Sequence, residues 1–213
     1  MAAFVSSPPG MPNDDTAAVS LLYLIRHAEV LLRGDQPMPE WQLSATGEQQ
    51  ARDLSRSPAW DGLALIASSP EAKAIATARP TADAAGLELQ IEPDLHEVDR
   101  GTTPLVSADE YHALVAAHFA SPHESVSGWE TADAARARVV ACIDRLTAGA
   151  DGTVCVVSHG LVLSHYLADL RGLEAPSLDE WRAIPLPGIA VVDLEGRELV
   201  QPFVSLMEFI GLA

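Results

Sequence analysis

The chain has little positive charge: 13 Lys and Arg stand against 30 Asp and Glu, a formal net charge of −17. Such a field repels nucleic acid and anionic lipid, so neither is expected as a partner, and any anion has to be gripped locally. Cysteine is nearly missing. Cys142 falls in a helical pattern and Cys155 in a strand, with neither metal-ligand nor redox spacing, so both read as reduced, structural thiols of a cytoplasmic protein. Long apolar runs are missing too; the longest are strand-sized, well short of the roughly 20 residues that cross a bilayer. The first 18 residues carry Pro8, Pro9, Gly10 and Pro12 and no positive charge before an apolar segment, so a flexible tail is expected there, not a signal peptide.

What remains is ordinary for a globular protein: 213 residues, 48% apolar and 20% charged. That length supports one domain with a sizeable core, assigned to residues 19–213. Strand patterns at 21–26, 63–67, 87–91 and 154–157 alternate with helical patterns from Ser44 to about 56, from Pro70 to about Ala85, from Thr131 to Ala148 and from Leu161 to about Leu170. A final pair of strands covers about 189–194 and 198–205. Alternation of this kind predicts an α/β fold, a three-layer α/β/α sandwich with a mostly parallel central sheet. Pro80 is expected to interrupt or bend its helix. The irregular stretch at about 102–128, with a helix over 108–120, reads as an inserted cap.

Two strands end on histidine. Leu21-Leu22-Tyr23-Leu24-Ile25 runs into Arg26-His27-Ala28-Glu29, and Val154-Cys155-Val156-Val157 runs into Ser158-His159-Gly160. In open parallel α/β sheets ligands bind outside the carboxyl ends of strands, so these two ends are candidates for one cleft. A neutral, oriented imidazole is a competent nucleophile toward phosphorus when donors stabilise the non-bridging oxygens. Arg26 and His27 supply a cation and a nucleophile together. His159 can donate to the phosphoryl group, and Gly160 opens a helix whose amides favour anions. A carboxyl group must protonate the departing oxygen. Glu97, in Leu95-His96-Glu97-Val98-Asp99-Arg100-Gly101, is the candidate; its alternative is to cap a turn or pair with Arg100.

These residues resemble the histidine phosphatase superfamily, with its phosphoglycerate mutase-like fold. Arg26-His27-Ala28-Glu29 is similar to the family's opening motif, and Leu43-Ser44-Ala45-Thr46-Gly47-Glu48-Gln49-Gln50-Ala51 to its second. Ser68-Ser69-Pro70 with Thr77-Ala78, the Glu97 segment, and Val157-Ser158-His159-Gly160 follow in family order, so the resemblance runs from about residue 20 to 165. It implies that His27 becomes a phosphohistidine, that Arg26 and His159 bind the phosphoryl group, and that Glu97 acts first as acid and then as base. The cap should choose the substrate, and its length points to a small phosphorylated metabolite more than a protein; no metal or organic cofactor is expected.

The chain departs from the family at three positions. Lys73 stands where a second phosphate-binding arginine is usual, and an ammonium lacks the bidentate fork of a guanidinium. Arg33 stands where many members carry a phosphate-touching asparagine, and is expected to supply part of that missing guanidinium function. Val30 replaces a small hydroxyl residue. Among other residues, His112, His118 and His123 do not share one helical face and are expected on the surface of the cap, not around a metal. Glu130-Thr131-Ala132-Asp133 reads as a helix start, and Trp129 either packs beneath the cap or borders the pocket. Two rival functions remain: a phosphoglycerate mutase-type phosphotransferase, and a non-catalytic phosphate-binding protein of the same fold.

Overall fold

The computed structural model describes residues 20–101 and 106–212. The expected tail and the first residues of the cap lie outside them. Six strands form one sheet in the order β3-β2-β4-β1-β5-β6: β1 (Leu21–Arg26), β2 (Leu63–Ser68), β3 (Gln90–Ile91), β4 (Thr153–Ser158), β5 (Gly188–Asp193) and β6 (Glu198–Ser205). β1, β2, β3 and β4 pair in parallel, while β5 runs antiparallel to both β1 and β6. The sheet is therefore mixed but mostly parallel, as the alternation predicts.

The central strands are apolar on both faces because helices cover both. Leu22, Leu24, Val154 and Val156 face one way, onto Val139 and Ile143 of α4 (Ala132–Ala148) and Val162 and Tyr166 of α5 (Gly160–Leu170). Tyr23, Ile25, Cys155 and Val157 face the other, onto Leu54 of α1 (Ala45–Leu54), Ala74 and Ala78 of α2 (Ala72–Ala85) and Phe209 of α7 (Leu206–Leu212). This is the period-two alternation of a strand buried on both sides, and it yields three layers. Both cysteines are free and buried in these clusters.

Several sequence expectations are corrected. The third strand is Gln90–Ile91, not Leu87–Ile91, because the chain joins β2 only at Ala67 and Ser68. α2 starts at Ala72 and continues through Pro80 as one helix. The patterns did not reveal α7 or the short α6 (Leu178–Ala183). Within the cap, α3 (Ala108–Ala120) starts with a reciprocal Ser107–Glu110 capping box. Its apolar face, with Val115 and Phe119, packs on Val98, Trp129, Leu161 and Trp181. Trp129 thus lies beneath the cap. α4 begins at the expected place, with the Thr131 side chain accepting from the Ala134 amide.

His118 is the clearest correction. It is fully buried, with Nε2 at 3.0 Å from Nε2 of His165 on α5, whereas His123 is exposed and His112 is partly buried against Trp181. Helical spacing contained the signal: Tyr111, Val115, His118 and Phe119 recur at i, i+4, i+7 and i+8.

Candidate active site

Three parallel strands deliver the site. β1 pairs with β4 so that Arg26 lies opposite Ser158, and β2 flanks β4 with Ser68 opposite Val157. The ladder continues one step further, with the His27 amide donating to the Ser158 carbonyl and the Ser69 amide to the Val157 carbonyl, each at 3.0 Å. His27, Ser69 and His159 consequently emerge side by side. The two imidazoles are 5.3 Å apart, edge to face, and both are buried.

The His27 ring is fixed by its own backbone. Nδ1 lies 2.8 Å from the Ala28 carbonyl oxygen, which can only accept, so Nδ1 carries the proton and Nε2 keeps its lone pair. Burial pushes the His27 pKa down to about 3, against the Ala28 hydrogen bond and with help from the charges of Lys73, Arg26 and Arg100. The ring is neutral at physiological pH. Thr77, one helical turn along α2 from Lys73, holds that same Ala28 by its amide: Oγ1 donates to the Lys73 carbonyl and accepts from the Ala28 amide at 3.0 Å.

His159 faces Ser69, with 2.7 Å between Nε2 and Oγ. Burial drives its pKa well below the ordinary histidine range, reinforced by the charge of Lys73. Arg26 donates from Nη1 to the Ile184 carbonyl at 2.6 Å, while its buried Nε has no hydrogen-bond partner among the described residues. Gly160 lets this guanidinium approach, because a β-carbon there would stand 3.3 Å from both Arg26 Nε and Trp181 Nε1.

The Glu97 carboxylate sits at the start of α5. Oε1 accepts from the Val98 and Val162 amides at 2.9 and 3.0 Å, and Oε2 from the Leu161 amide at 3.1 Å, with Arg100 Nη2 3.7 Å away. It faces Arg100, one of the two structural tasks open to it from sequence, and in place of capping a turn it caps the start of α5. Oε1 has both lone pairs engaged and Oε2 only one, so Oε2 is where a transferable proton can sit.

Lys73 and Arg33 part company. The Lys73 side chain is only 7% exposed; Nζ donates to the Met38 carbonyl at 2.9 Å and forms a short ion pair with Glu71. Arg33 is exposed in the loop after β1, where its carbonyl accepts from Trp41 Nε1. The second guanidinium near the site is instead Arg100. It lies over the rings of Tyr111 at 4.7 Å and Trp129 at 5.5 Å, and its buried Nε is also unpartnered among the described residues. Its place three residues after Glu97 was the available signal. Glu71 was missed as well, although it stands two residues before Lys73 in the Ser-Ser-Pro turn.

No group of three or more potential metal ligands occurs among the described residues. The strand-end histidines, the following helix and the layered sheet define a member of a known class: residues 22–202 match the sequence model of the histidine phosphatase superfamily, branch 1, and the chain belongs to that family. Among curated proteins it is 28% identical over 174 residues to "Probable phosphoglycerate mutase GpmB" of Enterobacter sp. strain 638, covering 72% of this chain and 76% of that one. Among solved structures its fold is similar to that of an Entamoeba histolytica phosphoserine phosphatase in complex with 3-phosphoglyceric acid (TM-score 0.69, 20% identity, 87% and 97% of the two chains). It is similar also to a mycobacterial glucosyl-3-phosphoglycerate phosphatase (TM-score 0.66, 21% identity, 81% and 89%). No described helix is long and apolar enough to cross a membrane.

Proposed function

We propose that the protein hydrolyses a small phosphomonoester in the cytoplasm through a phosphohistidine on His27. The observation that carries this reading is the Nδ1 bond to Ala28, which leaves a neutral imidazole with its Nε2 lone pair free in a cationic pocket. That lone pair attacks phosphorus, the bond to the alcohol oxygen breaks, and Glu97 Oε2 gives that oxygen its proton. Water then attacks the phosphoryl group, Glu97 takes back a proton, and the N–P bond breaks to release phosphate. Arg26, Arg100 and His159 stabilise charge on the non-bridging oxygens, and the order of events needs no metal or organic cofactor. The cap, which brings Tyr111 over Arg100, selects the alcohol.

The decisive experiment is acid-labile phosphoenzyme trapping with a labelled phosphomonoester, alongside a broad phosphomonoester turnover panel. Label should accumulate on the wild type and vanish in His27→Ala. A panel without turnover and a wild type without label would instead favour the non-catalytic reading, which the engagement of Lys73 by Glu71 motivates. The curated relatives' name motivates a mutase reading. Against it, the residues after Glu97 are Val98-Asp99-Arg100-Gly101, unlike the Arg-His-Tyr-Gly of mutases. Net release of phosphate from 3-phosphoglycerate distinguishes hydrolysis from transfer.

A further inference from the structure

Glu71 is a buried carboxylate that the reaction above does not use. Its side chain is 7% exposed and its contacts all lie inside the site. Oε1 accepts from the Glu97 amide at 2.8 Å and stands 3.3 Å from His159 Nε2, while Oε2 pairs with Lys73 Nζ. A single internal anion thus pairs with Lys73 and lies close to His159, whose Nε2 is hydrogen-bonded to Ser69 Oγ. A carboxylate and a phosphoryl oxygen seek the same donors, and in a buried pocket the charge of Lys73 is cancelled by the opposite charge beside it.

We propose that Glu71 is an internal competitor for the anion site: it neutralises Lys73, so bound phosphate and its analogues are held by Arg26, Arg100 and His159 without net help from Lys73. The proposal rests on the phosphatase reading of the pocket, and it deepens that reading by assigning the site's anion affinity to a residue outside the family motifs. Its chemical consequence is weak retention of the product. Inorganic phosphate, which lacks the alcohol portion that the cap can grip, has to contend with a tethered carboxylate at high effective concentration.

Binding of orthovanadate and of inorganic phosphate, measured by calorimetry on the full chain, tests this without reference to turnover. Glu71→Gln keeps the shape and removes the charge; vanadate should bind about tenfold more tightly. Lys73→Met leaves Glu71 unpaired and should weaken vanadate binding, and Glu71→Gln made together with it should return affinity to within about threefold of the wild type. Glu71→Leu combined with Lys73→Met removes a pair of zero net charge and guards against misfolding from a lone buried ion; it should bind vanadate at least as well as the wild type. Unchanged or weaker binding by Glu71→Gln, or a Glu71→Gln, Lys73→Met double variant that binds far less tightly than the wild type, overturns the proposal. Wild type and every variant failing to bind vanadate would reject the phosphatase reading itself.

Discussion

Thr77 Oγ1 accepts the amide hydrogen of Ala28 at 3.0 Å, so a helix residue forty-nine positions away holds the peptide that follows His27. The Ala28 carbonyl in turn receives His27 Nδ1. Replacing Thr77 by Val preserves shape but leaves a buried amide unpaired, which costs about 1–3 kcal/mol of stability. Turnover should fall more than the fraction unfolded explains, because the ring loses its support. Thr77→Ser should restore both. Melting temperature and single-turnover phosphoenzyme formation measure the two effects separately.

Glu97→Gln separates the chemical role of this residue from its helix-capping one. The amide oxygen can still accept from α5, but no proton can be delivered to the departing oxygen. With alkyl phosphates the rate should fall by about 10²–10⁴-fold. With p-nitrophenyl phosphate, whose leaving group needs little protonation, the loss should be much smaller. A purely structural role for Glu97 predicts equal losses for both substrates, so a leaving-group series is the measurement.

The two arginines outside the opening motif should behave differently. Arg33→Ala removes an exposed guanidinium and should leave kcat/KM within about twofold of the wild type, in the native and in a Lys73→Arg background alike. Arg100→Ala removes a donor stacked beside Glu97 and should lower kcat/KM by about 10²-fold. Steady-state kinetics on one phosphomonoester decides this. A large, background-dependent loss from Arg33→Ala would restore the compensation that the sequence suggested.

The buried pair of His118 and His165 makes the cap sensitive to acid. Burial pushes their pKa values down to about 4 and about 3; the charge of Arg100 adds to the fall for His118, partly offset by Glu130, and His118 itself adds to it for His165. The unfolded chain, with histidines near 6.5, binds these protons more readily than the folded one. Their penalty is therefore absent above pH 6.5 and grows as pH falls toward 4, reaching on the order of 3 kcal/mol from His118 alone. Denaturant unfolding from pH 7 to 4 should show a steeper loss in the wild type than in a His118→Leu, His165→Leu double variant.

Legibility from sequence follows from how local each determinant is. The central strands were readable because a run such as Leu21 to Ile25 needs no partner to announce itself, and His27, Glu97 and His159 because ordered motifs mark them. Gly47 shows the limit of local reasoning. By helix propensity it weakens α1, yet a β-carbon there would lie 2.0 Å from the Glu29 carbonyl oxygen, so packing requires it. Glu29 also receives the Ser44 hydroxyl at 2.6 Å, which ties the first two motifs together. Of the two outcomes open at Pro80, interruption is excluded, since α2 continues through it as one helix. The Glu71–Lys73 pair, the Arg100 stack and the His118–His165 contact each join residues whose partnership depends on the folded cap and turn, and spacing alone carries little of that.

The order of strands also sets a problem for synthesis. β1 is made first and occupies the middle of the sheet, but Leu22 finds its neighbours only at Val154 and Val192. Until β4 leaves the ribosome, an apolar segment with strong strand character has no native ladder to join, and pairing so distant in sequence is slow to form. Arg26 waits longer still, since its carbonyl partner is Ile184. Arg26 and His27 are thus translated before the other five strands of the sheet, yet their surroundings are complete only once β5 is in place, so a nascent chain halted before β5 would carry both residues without the contacts that position them.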